Sequence, residues 1–356
     1  MRRREAERDA DAFAARHAPL TPEQEAAASR GLDRARAAAA REARISKVLR
    51  AEVERLEQAL DVALDLRRAH PPRPIVAPTS ARAAKVACAV FGASDWHVEK
   101  VIRPSHVNGQ NEYNPDVARR RARAFVEGCL WLLDTHRRGA RIDEAVLALL
   151  GDMIEGWIHE EFQSGNAMSP PEATLFAQEL LGDVISTFLA RARLRRLRVV
   201  CSRGNHSRLT KRTYINAAAR LSYEWLMFRA LAARFAKDPR VEFVIEDGYH
   251  TYLDVFGKVL RFHHGDAVTY QGGVGGLTIP MLKKIQKWDQ ARPAYLDVVG
   301  HFHQLMHGGR FIVNGSLCGF DDYANWIAAS PEPPQQVFFL MRPGRGLSAF
   351  APVFVT

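Results

Sequence analysis

The run AVLALLGDMIEGWIHEEF, residues 145 to 162, decides the fold of this chain. Six apolar residues stop abruptly at Gly151-Asp152, and Glu155, His159, Glu160 and Glu161 follow closely. An apolar run that short reads as a strand buried on both faces, as in a parallel sheet covered by helices. A buried strand that delivers carboxylates at its end needs something positive there to hold them.

The same pattern recurs on either side. VACAVFGASD precedes a helical stretch from about Pro115 to Arg138, AVLALLGD precedes a helix through 171 to 196, and LRVVCSRGNH is a third apolar run. Strands alternating with helices predict an α/β fold with a largely parallel sheet. Beyond about residue 240 come short strands and turns: VEFVIEDG, HTYLDVFGKVLRFHHGD, YLDVVGHFHQ, RFIVNGSLCG, QQVFFLMRPG and LSAFAPVFV. They predict a second sheet stacked on the first, with DVFGKVL as a hairpin.

At 356 residues the chain is long enough for one large domain and an appendage. Residues 1–70 form a helical, charged extension in which Ile45, Leu49, Val53, Leu56, Leu60 and Leu64 recur at helical spacing. That stripe either packs on its own protein or supports a homo-oligomer through a coiled coil. PPRPIVAP opens a Pro-rich linker over 71–84, and the main domain runs from 85 to 356. No apolar run reaches the ~18 residues of a membrane span, and the basic N-terminus has no apolar stretch behind it, so neither a membrane partner nor a secretory signal is expected. The scattered Cys88, Cys129, Cys201 and Cys318 read as reduced thiols, which implies a cytoplasmic location. The net charge is +10, and the first 70 residues hold 15 Arg/Lys against 13 Asp/Glu, so most of the excess lies on the main body. A basic body favours polyanions, nucleic acid first among them.

Ligand-type residues stand at the ends of five successive apolar runs: Asp95-Trp96-His97, Gly151-Asp152, Gly204-Asn205-His206, His263-His264-Gly265-Asp266 and Gly300-His301-Phe302-His303. Each alone has a bland reading as a cap, a turn or a surface histidine. Five in order, at the strand ends where open α/β sheets gather their sites, point to a metal centre.

In that order these blocks resemble the calcineurin-like metallophosphoesterase superfamily over roughly residues 86 to 320. GDMIEGWIHEEF and GNHSRLTKR further resemble a group of such proteins found in bacteriophage genomes. The resemblance implies a four-layer sandwich of two stacked mixed β-sheets flanked by helices, in a bacterial or phage-infected cell. It implies two divalent ions, Mn2+ before Fe or Zn2+, ~3.5 to 4 Å apart, which polarise a phosphoryl group and hold a hydroxide for in-line attack. It assigns Asp95, His97 and His303 to one ion, Asn205, His264 and His301 to the other, and Asp152 to both. His206, not a ligand, would serve the transition state or the leaving oxygen, with Asp152 as the other catalytic residue. His263 reads as structural. Family members usually carry an acidic residue after Gly-Asn-His, where this chain has Ser207. Glu155-Gly156 replaces the Asp-Arg-Gly of the protein phosphatase branch, which argues against that branch.

Arg208, Lys211 and Arg212 follow the third block and could hold flanking phosphates of a nucleic-acid strand, with His159 at the same mouth. Other basic clusters, Arg119 to Arg123 and Arg191 to Arg198, read as solvated helix faces. The leading expectation is a phosphodiesterase acting on nucleic acid, in the manner of a DNA nuclease. The alternatives are a phosphoesterase for small nucleotides and a metal-binding scaffold, the latter disfavoured by the complete ligand set beside His206.

Overall fold

The structure, a computed structural model, describes residues 21–68, 86–158, 165–270 and 276–356. Two compact units divide the chain, Met1–Ser80 and Ala81–Thr356. Within the first unit the described residues form one helix, α1 (Pro22–Arg68). The linker expected over 71–84 and His159 lie outside the described residues.

The second unit is an α/β sandwich. One sheet has the order β11-β10-β1-β2-β3-β4. Strands β1 (Val86–Ala93), β2 (Arg141–Leu149), β3 (Arg196–Cys201) and β4 (Val241–Ile245) run parallel, and β10 (Gln335–Arg342) and β11 (Gly346–Phe354) join the β1 edge antiparallel. The second sheet has the order β5-β6-β7-β9-β8, built from β5 (Thr251–Val255), β6 (Lys258–Phe262), β7 (Leu296–Val299), β8 (Met306–His307) and β9 (Phe311–Val313). β5 and β6 form the expected hairpin, with Phe256 and Gly257 both at positive φ, as a two-residue primed turn requires.

Alternation along the strands builds the layers. In β1, Ala89, Phe91 and Ala93 enter a core shared with helices α2 (Pro115–Arg137), α3 (Pro170–Arg191) and α4 (Tyr223–Phe235). Cys88 and Val90 face the other way, into a core with Leu260, Phe262 and Val298 of the second sheet. On the far side of that sheet, Met281 and Ile285 of α5 (Thr278–Asp289) pack against Val299, Phe311 and Val313. The order is therefore helices, sheet, sheet, helix. α3 is long and apolar enough to pass for a membrane span, yet it buries Leu181, Ile185 and Phe188 in the core.

One detail departs from the sequence reading. VEFVIEDG, QQVFFLMRPG and LSAFAPVFV, expected in the second sheet, are β4, β10 and β11 of the first. β10 is buried along nearly its whole length, because one face meets the helices through Phe338 and Leu340 and the other meets the second sheet through Val337 and Phe339. An apolar run carries no mark of which sheet it joins.

Candidate metal centre

Strands β1, β2 and β3 are parallel neighbours, and so are β6 and β7, so all five candidate blocks leave the sheets at C-terminal strand ends. The turns there are tight. Asp95, His97, Asp152, His301 and His303 all have φ between 43° and 72°, in the left-handed region that most side chains avoid. These are five of the nine non-glycine residues so placed among the described residues. Such strain persists only where its surroundings enforce it, and it gathers at functional sites. The glycine before Asn205 is dictated by proximity, since a Cβ on Gly204 would come within 1.9 Å of Asp152 Oδ1.

Two ligand groups share one carboxylate. Ligand atoms of Asp95, His97 and Asp152 all lie within 4.8 Å of one another, and so do those of Asp152, His264 and His301. His264 Nε2 is 2.8 Å from Asp152 Oδ2, 3.1 Å from Asn205 Oδ1 and 3.2 Å from His301 Nδ1. His303 Nε2 sits 3.3 Å from His97 Nε2 and 3.4 Å from Asp95 Oδ1. The structure thus brings Asp95, His97, Asp152, Asn205, His264, His301 and His303 together.

Hydrogen bonds fix which ring nitrogens face inward. His264 Nδ1 donates to Leu150 O at 2.8 Å, so its Nε2 faces Asp152 and Asn205. His97 Nδ1 lies 2.5 Å from Glu155 Oε2, leaving its Nε2 for the centre. Asp95 is held by Ser94 Oγ and by the backbone N–H of His301. Ser94 Oγ accepts in turn from Asn314, in the turn after β9.

The electrostatics call for positive charge. Burial opposes ionisation of Asp152, yet His264 and His206 hold its carboxyl well below the usual range. Burial likewise opposes charge on His264, but Asp152 raises that imidazole to about 10. Burial and the neighbouring His264 push His301 down to about 4. Two buried carboxylates facing inward-turned imidazoles and an amide oxygen suit a divalent cation that takes mixed oxygen and nitrogen ligands. The residues fit such a group.

His206 stands beside the centre without joining either of the two groups that share Asp152. Its backbone N–H donates to Asp152 Oδ1 at 2.9 Å, its Nδ1 donates to Glu155 O at 2.9 Å, and its Nε2 lies 4.0 Å from Asp152 Oδ2. Glu155 therefore braces both His97, through its carboxylate, and His206, through its backbone carbonyl. Its own carboxylate is completed by Lys100 Nζ at 3.1 Å, which also reaches Asp321 Oδ2 at 2.6 Å.

Glu224, in the first turn of α4, went unnoticed in the sequence. Its buried carboxylate accepts from Met153 N and Gly204 N, each at 2.6 Å, and from Ser207 Oγ at 3.0 Å. One side chain thus ties the Asp152 turn to the Asn205 turn. Only the N-cap Ser222 two residues earlier hinted at it, and a cap marks a helix start, not a partner.

The basic residues divide. Arg208 donates to Asn205 O at 2.7 Å and Thr210 O at 3.1 Å, so its guanidinium folds the loop on itself. Lys211 and Arg212 are exposed. Arg121 is buried and donates to Leu317 O and Cys318 O, whereas Arg119, Arg191, Arg193 and Arg196 pair with surface carboxylates. His263 is buried 3.4 Å from Asp297 Oδ1, away from the ligand atoms its neighbour supplies.

No protein-family model matches this chain, and no curated protein does. Among solved structures it is similar to Vacuolar Protein Sorting 29 from Cryptosporidium parvum, at 12% identity and TM-score 0.31 over 75% of this chain and 98% of that one. It is similar to a hypothetical protein from Pyrococcus horikoshii OT3 at 12% identity and TM-score 0.35, over 75% of this chain and 88% of that one. A predicted phosphoesterase from Streptococcus pneumoniae aligns at 11% identity and TM-score 0.27, over 76% of this chain and 99% of that one.

Proposed function

We propose that the chain is a dinuclear metal-dependent phosphoesterase of the calcineurin-like kind that hydrolyses phosphodiester bonds in nucleic acid. The observation that carries this reading is the sharing of Asp152 between two ligand groups, with His206 alongside. Two divalent ions held this way would polarise a phosphoryl group and supply the attacking oxygen in line with the leaving one.

The chain's own residues have distinct tasks. Asp152, which belongs to both groups, would hold both cations and offset the repulsion between them. His264 and His97 turn Nε2 toward the centre, because Nδ1 of each is engaged by Leu150 O and by the Glu155 carboxylate respectively. His206 keeps its Nδ1 proton on Glu155 O, so Nε2 is the nitrogen that, once protonated, can hand a proton to a leaving oxygen or donate to a phosphoryl oxygen.

The nucleic-acid part of the proposal rests on the net charge of +10 and on exposed Lys211 and Arg212 beside the third block. The small-nucleotide reading is favoured by the self-engaged guanidinium of Arg208, which removes one cation from phosphate binding. A panel of bis-p-nitrophenyl phosphate, p-nitrophenyl phosphate, cyclic nucleotides and single- and double-stranded DNA, each with Mn2+, Zn2+, Fe2+ or Mg2+, tests both. Diester cleavage abolished by EDTA, together with cleavage of DNA, is the expected result. No activity with any metal, and no ion bound by elemental analysis, would overturn the enzyme reading. Turnover of cyclic nucleotides alone would select the small-nucleotide one.

A further inference from the structure

α1 is a continuous helix of 47 residues, about 70 Å long at 1.5 Å per residue. Ile45, Leu49, Val53, Leu56 and Leu60 are each half or more exposed on it. A single helix cannot bury its own stripe, and a row of large apolar side chains in water marks a surface made for a partner. The spacing says what kind. With Ser46 at heptad position a, Leu49 falls at d, Val53 at a, Leu56 at d and Leu60 at a, the alternating four-and-three rhythm of a coiled-coil seam with Ile45 flanking it at g.

The charges beside the seam choose the orientation. Arg50 and Glu57 occupy e positions and Glu52 a g position. In a parallel pair, g of one helix faces e of the next heptad of its partner, which sets Glu52 against the partner's Glu57 twice over. In an antiparallel pair e faces e. The register that stacks Leu49 on the partner's Leu60 and Val53 on the partner's Leu56 then places Arg50 beside the partner's Glu57, and again by symmetry. Glu52 is already paired within its own helix, to Arg55 at 2.6 Å, and faces no carboxylate in that register.

We propose that α1 is a self-association segment that joins two copies of this chain as an antiparallel coiled coil. The occupant of the stripe is a second α1, because the stripe's complement in spacing and in charge is the stripe itself, reversed. A two-fold axis crossing the pair between Val53 and Leu56 makes the contact closed, so association stops at two. This inference does not depend on the phosphoesterase reading.

Light scattering on the full chain at tens of micromolar tests it. The expected mass is twice the 39.9 kDa of one chain. Leu49→Glu/Leu56→Glu should run at the single-chain mass while the main unit keeps its melting temperature. Glu57→Lys separates the orientations: the antiparallel pair should loosen roughly tenfold, since two attractions become repulsions, and Arg50→Glu/Glu57→Lys should restore it. A wild-type chain of single mass, or a dimer indifferent to the seam changes, would overturn the proposal. So would a seam variant that lowers the main unit's melting temperature, because the stripe would then pack on its own chain. Tightening by Glu57→Lys would overturn the antiparallel arrangement.

Discussion

Replacing Glu224 by glutamine swaps one acceptor for a donor where the Asp152 and Asn205 turns meet. The wild-type carboxylate accepts two short backbone N–H bonds with its two oxygens, 2.6 Å to Met153 N and 2.6 Å to Gly204 N. Glutamine can accept only one of them, and its amide group then points N–H at N–H. A buried donor left without a partner costs about 1 to 3 kcal/mol. In a unit of this size each kcal/mol lowers the melting temperature by roughly 2 to 4 °C, so a drop of several degrees is expected. Both turns carry ligands, so cation affinity should fall as well, by roughly 10- to 100-fold, the usual range when a residue orienting a metal ligand is lost. The pH dependence adds a second signature. Burial and the neighbouring Asp152 push the Glu224 carboxyl up to about 7. A carboxyl raised in the folded chain contributes stability that is present below its unfolded value and lost as the pH rises through about 7, whereas glutamine does not titrate. The gap between the two proteins in EDTA should therefore be widest near pH 5 and narrow toward pH 8. Thermal melts across that range, with calorimetric Mn2+ titration, measure both effects. A glutamine variant with wild-type melting and wild-type metal affinity would refute the reasoning that this carboxylate sets the geometry of the site.

Asp152→Ala should abolish activity and weaken both ions, whereas His206→Ala should keep its metal content and lose about 10²- to 10⁴-fold in rate, read by elemental analysis and diester turnover. Equal metal loss in the two variants would end the role given to His206. Lys211→Ala/Arg212→Ala should weaken DNA binding across sequences and make its salt dependence shallower by roughly one unit per lost phosphate contact, with hydrolysis of a small diester unchanged. Arg208→Ala, which releases the loop beside Asn205, should instead lower turnover of small and large substrates alike. His250 is pushed down to about 3 by burial and by the nearby His263 and Arg261. A depressed histidine contributes stability that is present above its unfolded value near 6.5 and lost as the pH falls below it. His250→Phe should therefore flatten the fall in melting temperature between pH 7.5 and pH 5 in EDTA, and an unchanged slope would count against this cause.

The candidate ligands that the structure brings together were legible in the sequence because each is printed where an apolar run stops, and runs that stop at Asp152, Asn205 or His264 can be lined up without knowing the fold. The layering was legible for the same reason. The bracing was not. Lys100 and Asp321 are 221 positions apart yet joined at 2.6 Å, and nothing local to either foretells the other. Glu224 looks like any acid in a first helical turn. Arg208 reads as a phosphate contact because a guanidinium in a loop advertises charge, but its bonds to the Asn205 and Thr210 carbonyls could not be foreseen, since they exist only once the loop has closed. The place of β10 also escaped, since full burial follows equally from either sheet.

The left-handed backbone at Asp95, His97, Asp152, His301 and His303 bears on how this centre would change over evolutionary time. Each such residue costs of order 1 kcal/mol or more that glycine would not, so every ligand lost to glycine would tend to make the fold sturdier while emptying it of chemistry. Stability alone would push this site toward decay. Were the centre dispensable, glycines should come to stand at these same positions in a fold otherwise intact.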